Sequence, residues 1–188
     1  MILIALAALC VVAVPLRGGS LARLAELPLR GRWVPMLALA LQVLITVIAT
    51  GGSPAGHRAL HIATYALVAL FIWLNRGLPG MRIIAAGALA NATAIVANLG
   101  VMPASATAER IAGLRLRAGF DNSAPLGHAH LAWLGDVIPW PGPLHNVLSI
   151  GDLVIFLGTA VLLHRACARP PATIRLRPPP ERALAPEG

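Results

Sequence analysis

Five apolar runs, separated by short polar links and one long mixed stretch, set the pattern of the chain. Met1 to Leu16 is apolar throughout, and Trp33–Thr50, Ala59–Leu74, Ile83–Leu99 and a run from about Ser149 to His164 follow. The first run spans about 24 Å as a helix, a little short of a hydrocarbon layer of about 30 Å, and Arg17 can snorkel to cover part of the deficit. It has neither a basic leader nor a small-residue cleavage site and reads as an uncleaved helix. The pattern predicts an all-α fold, an integral membrane helical bundle. Its five transmembrane helices fall at about 1–16, 33–50, 59–74, 83–99 and 149–164, with a long loop over 100–148 between the fourth and fifth. Residues 1–168 form the membrane domain, and the Pro- and Arg-rich segment 169–188 is expected to be a disordered cytoplasmic tail.

The links carry most of the charge. R-G-G-S-L-A-R-L-A-E-L-P-L-R-G-R reads as a basic anchor with a short amphipathic turn around Leu21, Leu24 and Arg23. G-G-S-P-A-G reads as a tight uncharged loop, and N-R-G-L-P-G-M-R as a second basic link. Gln42 is the one amide within the second run and is expected to bond to a neighbouring helix.

Composition supports a lipid environment. The chain is 57% hydrophobic and 12% charged, with mean hydropathy +0.77, about half the charged fraction of a soluble domain. The net charge of +8 comes from fifteen Arg and no Lys. No basic face is interleaved with aromatics, so no nucleic-acid partner is expected. Counting alternate links and the tail puts eleven Arg on one side and four on the other. The positive-inside rule then places the N-terminus outside, the C-terminus in the cytoplasm and the 100–148 stretch outside a cell membrane. The expected partners are the lipid bilayer and, for the outward loop, another membrane protein.

No cofactor or metal is expected. Cys10 and Cys167 lie at opposite ends of the predicted bundle. His57 and His61 share a helix face but lack a third ligand. His128 and His130 with Asp121 and Asp136 match no zinc spacing. No His-Glu-x-x-His helix or G-x-S-x-G turn is present, so no catalytic residue is expected.

Polar residues at the junction of the fourth and fifth runs are the binding candidates. Gly87, Asn91, Ala94 and Asn98 fall on one helix face, and small residues at this spacing permit close helix contact. The two amides either bond between helices or line a cavity. Gly100 and Pro103 end the fourth run. A-S-A-T-A-E-R-I-A-G predicts a short helix capped at Ser105 or Thr107 and closed by Gly113. L-A-W-L-G-D-V-I-P-W, with Trp133 and Trp140, suits an interfacial or re-entrant segment, and Asp136 is its anomaly. S-I-G-D gives Ser149 and Asp152 the spacing of a capping box. Asn98, Asp136 and Asp152 are expected to meet. The candidate ligand-binding set is Asn91, Asn98, Asp136, Ser149 and Asp152.

N-L-G-V-M-P-A-S, F-D-N-S, L-A-W-L-G-D-V-I-P and S-I-G-D in this order, with L-R-G-G-S-L-A-R-L and L-R-G-R-W-V-P near the start, resemble the bacterial membrane family catalogued as domain of unknown function 5317. The likeness reaches about Arg165 and implies a small multi-pass protein, but carries no activity onto any residue. The leading expectation is a non-enzymatic membrane component whose outward loop binds a partner. The alternative is a small-molecule or ion carrier with a polar pocket at the outer end of the fourth and fifth helices.

Overall fold

The computed structural model describes residues 2–44, 54–114, 123–142 and 145–168. The side chains of Gln42, His57 and His61, the residue Asp121 and the tail beyond Ala168 lie outside the described set, as do the expectations attached to them.

The fold is mostly helical. α1 (Ile2–Leu16) leads through a 3-10 turn at Leu21–Leu24 to α2 (Trp33–Val43), α3 (Pro54–Leu74) and α4 (Met81–Ala97). After α4 come β1 (Met102–Pro103), α5 (Ala106–Ala112), β2 (Ser123–Ala124), β3 (Ile138–Trp140), β4 (Asn146–Leu148) and α6 (Ile150–Cys167). α3 starts five residues before the apolar run does. G-G-S-P-A-G is therefore not all loop: Pro54 opens the helix, where its fixed φ and missing N–H cost nothing.

Two antiparallel pairings organise the helices. α2 packs on α3, and Asn75 ties the pair at one end. Its side chain accepts from the Arg30 amide at 2.9 Å and donates to the Arg30 carbonyl at 2.9 Å, which reproduces a backbone pair at a buried site. α4 packs on α6 more closely than ordinary side chains permit. Gly80 faces Gly158, and Gly87 faces Gly151, seven residues on in one helix and seven back in the other. A Cβ on Gly87 would sit 2.5 Å from the Gly151 carbonyl oxygen and 2.8 Å from the Ile155 nitrogen. Glycine is the residue that lets these two backbones touch.

The basic link after α1 has a structural task that a plain anchor lacks. The Ser20 amide donates to the Cys167 carbonyl at 3.0 Å, and the Arg23 guanidinium donates to the Ala168 carbonyl. Together they satisfy two carbonyls at the C-terminal end of α6, where a cation is also favoured by the helix dipole.

The described parts of the connection over 100–148 form a structured roof that contains strands, which corrects the all-α class. β1 and β2 pair in parallel, Met102 with Ser123 and Pro103 with Ala124. β3 and β4 form a hairpin, pairing Ile138 with Leu148, Pro139 with Val147 and Trp140 with Asn146. The 131–140 segment is thus a 3-10 turn (Ala132–Leu134) followed by a strand. α5 is capped by Ser105, whose hydroxyl accepts from the Ala108 amide at 3.2 Å, and closed by Gly113 at φ 76°. Ala108 and Ala112 of α5 pack on Val147 to give the roof its own small core.

Among the described residues one helix, Ile150–Cys167, is long and apolar enough to cross a membrane. Ile62–Leu74, the C-terminal part of α3, and Met81–Ala97, the whole of α4, are shorter apolar helical stretches.

Candidate functional site

The S-I-G-D spacing is a capping box in the structure. Ser149 Oγ accepts from the Asp152 amide at 2.9 Å, and Asp152 Oδ2 accepts from the Ser149 amide at 3.1 Å. A third member closes the arrangement from α4. Asn91 Nδ2 donates to Asp152 Oδ1 at 2.9 Å, and Ser149 Oγ donates to Asn91 Oδ1 at 2.8 Å. Asn91 and Ser149 are buried, so these bonds satisfy groups that would otherwise be costly to desolvate. Asn91 reaches them because Gly87 and Gly151 bring the helix axes together one turn away.

Asp136 belongs to the roof. Its backbone is fixed on both sides, donating to the Pro103 carbonyl at 2.8 Å and accepting from the Ser105 amide at 2.9 Å. Its side chain accepts from Ser123 Oγ at 2.5 Å. Burial pushes the Asp136 carboxyl up to about 6. The Ser123 hydrogen bond opposes that rise, and the negative charges of Asp152 and Glu109 add to it.

Both carboxylates line one cavity of about 490 Å³. Asn91, Asp152, Asp136 and Ser123 form its polar side with Thr64 and Tyr65 of α3. Pro35, Ala38 and Leu39 of α2, with Val68, Ile95 and Met102, form its apolar side. The volume falls in the range of small-molecule sites, about 300–1,000 Å³. Among the described residues, no Arg, Lys or His lines the cavity.

Asn98 does not join this site, contrary to the expectation that it meets Asp136 and Asp152. It donates to the Ala94 carbonyl and to the His130 carbonyl, each at 2.7 Å, and accepts from the His130 amide at 2.9 Å. It clamps the roof onto the end of α4. The residues that follow each partner, Leu99 at φ 56° and Leu131 at φ 51°, are both left-handed, an unfavourable conformation for leucine that the clamp holds in place. Ser149 touches the site through Asn91 but is not itself part of the cavity wall. Among the described residues no group of three or more His, Cys, Asp or Glu is placed to hold a metal ion.

Thr64, Tyr65 and Ser123 are the site residues that pattern reading misses. Tyr65 is the one tyrosine in the chain and sits beside Thr64 inside an apolar run. Two adjacent hydrogen-bonding residues there are a legible signal of a polar interior face. Ser123 lies in F-D-N-S.

The fold and site thus define a mostly helical protein with a roofed, acid-lined cavity. The chain belongs to the family of unknown function DUF5317, whose family model matches residues 26–164. A protein of Thermotoga maritima described as uncharacterized is 32% identical over 97 residues, covering 50% of this chain and 56% of that protein. The chain therefore spans little more than half the length of that relative. No solved structure matches it.

Proposed function

We propose that the protein is a multi-pass membrane protein that binds a small molecule in the roofed cavity, as a carrier or binding component. The carrying observation is the cavity itself: about 490 Å³, one apolar wall, and polar groups converging from α3, α4, α6 and the roof. In this reading α1, α2, α3, α4 and α6 are the five spans, and the roof faces outward with the N-terminus outside.

The surface of the helices supports the membrane placement. Leu9, Val12 and Leu16 of α1, Met36 and Leu37 of α2, Leu70 and Trp73 of α3, Leu89 and Val96 of α4, and Leu153 and Leu157 of α6 are all exposed. Apolar surface this extensive is covered by lipid or by other protein. Only 17% of α6 is buried within the protein, unlike the core helix of a soluble domain. The Arg76 guanidinium lies 4.1 Å from the centroid of the Trp73 ring, a pairing suited to the membrane–water boundary.

A second reading, partner docking on the roof, is favoured by the exposed Ile111, Leu131 and Trp133. Binding of 1-octanol to the full-length protein in phosphatidylcholine nanodiscs tests the first. Saturable binding that Val68→Trp removes, by filling the apolar wall, is the expected result. Binding that Val68→Trp leaves unchanged refutes the cavity reading.

A further inference from the structure

The hydrogen-bonding inventory of the cavity is one-sided. Among its lining side chains, Ser123 Oγ–H is spent on Asp136 and Asn91 Nδ2 donates to Asp152, while the Thr64 and Tyr65 hydroxyls on α3 have partners of their own. Its acceptors are left over. Asp136 Oδ1 receives no hydrogen bond among the described residues, while each Asp152 oxygen receives one and has lone-pair capacity for more. Two carboxylates share the space, and among the described residues no cationic side chain lines it. A ligand completing this site brings donors and positive charge and brings no anion.

Size separates the candidate cations. A bare divalent ion takes about six to eight oxygen ligands close around it, whereas this cavity is far larger and one wall is hydrocarbon. That wall, formed by Ala38, Leu39, Val68 and Ile95, matches the body of an organic molecule. Resting on the small-molecule reading above, we propose that the ligand is an organic cation, a protonated amine on an apolar body, with its ammonium between Asp136 and Asp152 and its hydrocarbon along α2 and α3. An ammonium supplies three donors and no acceptor, the complement of what the side chains leave unsatisfied.

Three probes of one chain length test the class: octylamine, 1-octanol and octanoate, each titrated at pH 8 against the full-length protein in phosphatidylcholine nanodiscs. Partition into lipid is removed by subtracting the signal of Val68→Trp. Octylamine is expected to bind at least tenfold more tightly than 1-octanol, and octanoate most weakly. Asp136→Asn keeps the shape of the side chain and an acceptor for Ser123. It is expected to bring octylamine to within about threefold of 1-octanol without lowering thermal stability. Asp152→Asn serves as a second variant, read only if its stability matches the native chain. If 1-octanol or octanoate binds as tightly as the amine, and Val68→Trp abolishes that binding, the cavity is a ligand site and the cationic class is wrong. If no probe shows saturable binding sensitive to Val68→Trp, both the class and the cavity reading fail.

Discussion

Gly151→Ala reverses the usual sign of a helical glycine substitution. In an unobstructed helix the exchange stabilises by about 1 kcal/mol. Here the new Cβ would collide with Asn91 Oδ1 and lie 2.6 Å from Asn91 Cγ and 2.7 Å from the Gly87 carbonyl oxygen. The Gly87 atom is backbone and cannot swing aside. The protein has two responses. Moving α6 away from α4 loosens the packing, a distortion that costs about 1–3 kcal/mol. Rotating Asn91 away breaks its bond to the Asp152 carboxylate, worth about 1.5–3 kcal/mol, and its bond from Ser149, worth about 1 kcal/mol. Offset by the propensity gain, the net loss comes to about 0–2 kcal/mol by the first response and about 1.5–3 kcal/mol by the second. Gly77→Ala and Gly127→Ala are the internal controls, because a Cβ at either position meets nothing within 4 Å. They should fall within about 0.5 kcal/mol of the native chain. Reversible unfolding in mixed detergent micelles, monitored by far-ultraviolet circular dichroism, gives the comparison. A Gly151→Ala protein as stable as the two controls would refute the close helix contact and the placement of Asn91 that depends on it.

Other consequences follow from the same geometry. The Asp136 carboxyl titrates near 6 in the folded state, against about 3.9 unfolded. The native state therefore holds the extra proton between these values, and stability falls as pH rises from about 4 to about 6, by an amount on the order of 2–3 kcal/mol. Asp152 on α6, Glu109 on α5, Ser123 on β2 and Tyr65 on α3 face the same group. Asp136→Asn should accordingly stabilise the protein at pH 8 and have little effect at pH 4. Equal stability changes at the two pH values would contradict the raised carboxyl. Asn98→Ala leaves the His130 amide and carbonyl without their clamp and should cost about 2–4 kcal/mol. Hydrogen exchange should report the loss as faster exchange across 128–135, with α4 and α6 unaffected, and unchanged protection there would show that the clamp does not hold the roof. Arg23→Gln removes the guanidinium from the end of α6 and should cost about 0.5–1 kcal/mol. Exchange at Arg165 to Ala168 should rise, and a change distributed evenly along α6 would contradict the capping role. Trp133→Cys, at an exposed roof position, should react with a membrane-impermeant maleimide in intact cells, and labelling only after lysis would reverse the proposed orientation.

Local physics makes parts of this fold legible in the sequence. Ser149 and Asp152 are three residues apart ahead of an apolar run, and Ser105 and Gly113 bracket a short helix. Both ends came out as their backbone chemistry requires. Gly87 and Asn91 on one face of α4 pointed correctly to a tight helix contact and an amide bonded across it. The roof was not legible. Its strands are two or three residues long and draw partners from distant positions, such as Met102 with Ser123, so no alternation of period two has room to develop. Asp136 read as an anomaly because its partners, Pro103, Ser105 and Ser123, are brought to it by that pairing. Asn98 shows the reverse failure. Its position on the same face as Asn91 suggested a shared site, but it lies at the last turn of α4, where a neighbouring loop offers a backbone amide and carbonyl at the right spacing.

The central claim is that a small organic molecule with an apolar body enters the space between α2, α3, α4 and the roof rather than only the lipid-facing surface. Photolabelling the protein in nanodiscs with a diazirine derivative of 1-octanol, followed by peptide mapping by mass spectrometry, tests it directly. The account predicts concentration-saturable labels on cavity residues, Tyr65, Val68, Ile95 and Met102 foremost, that excess unmodified 1-octanol displaces. Labels confined to exposed positions such as Leu16, Leu89, Val96 and Leu99, rising without saturation, would contradict it.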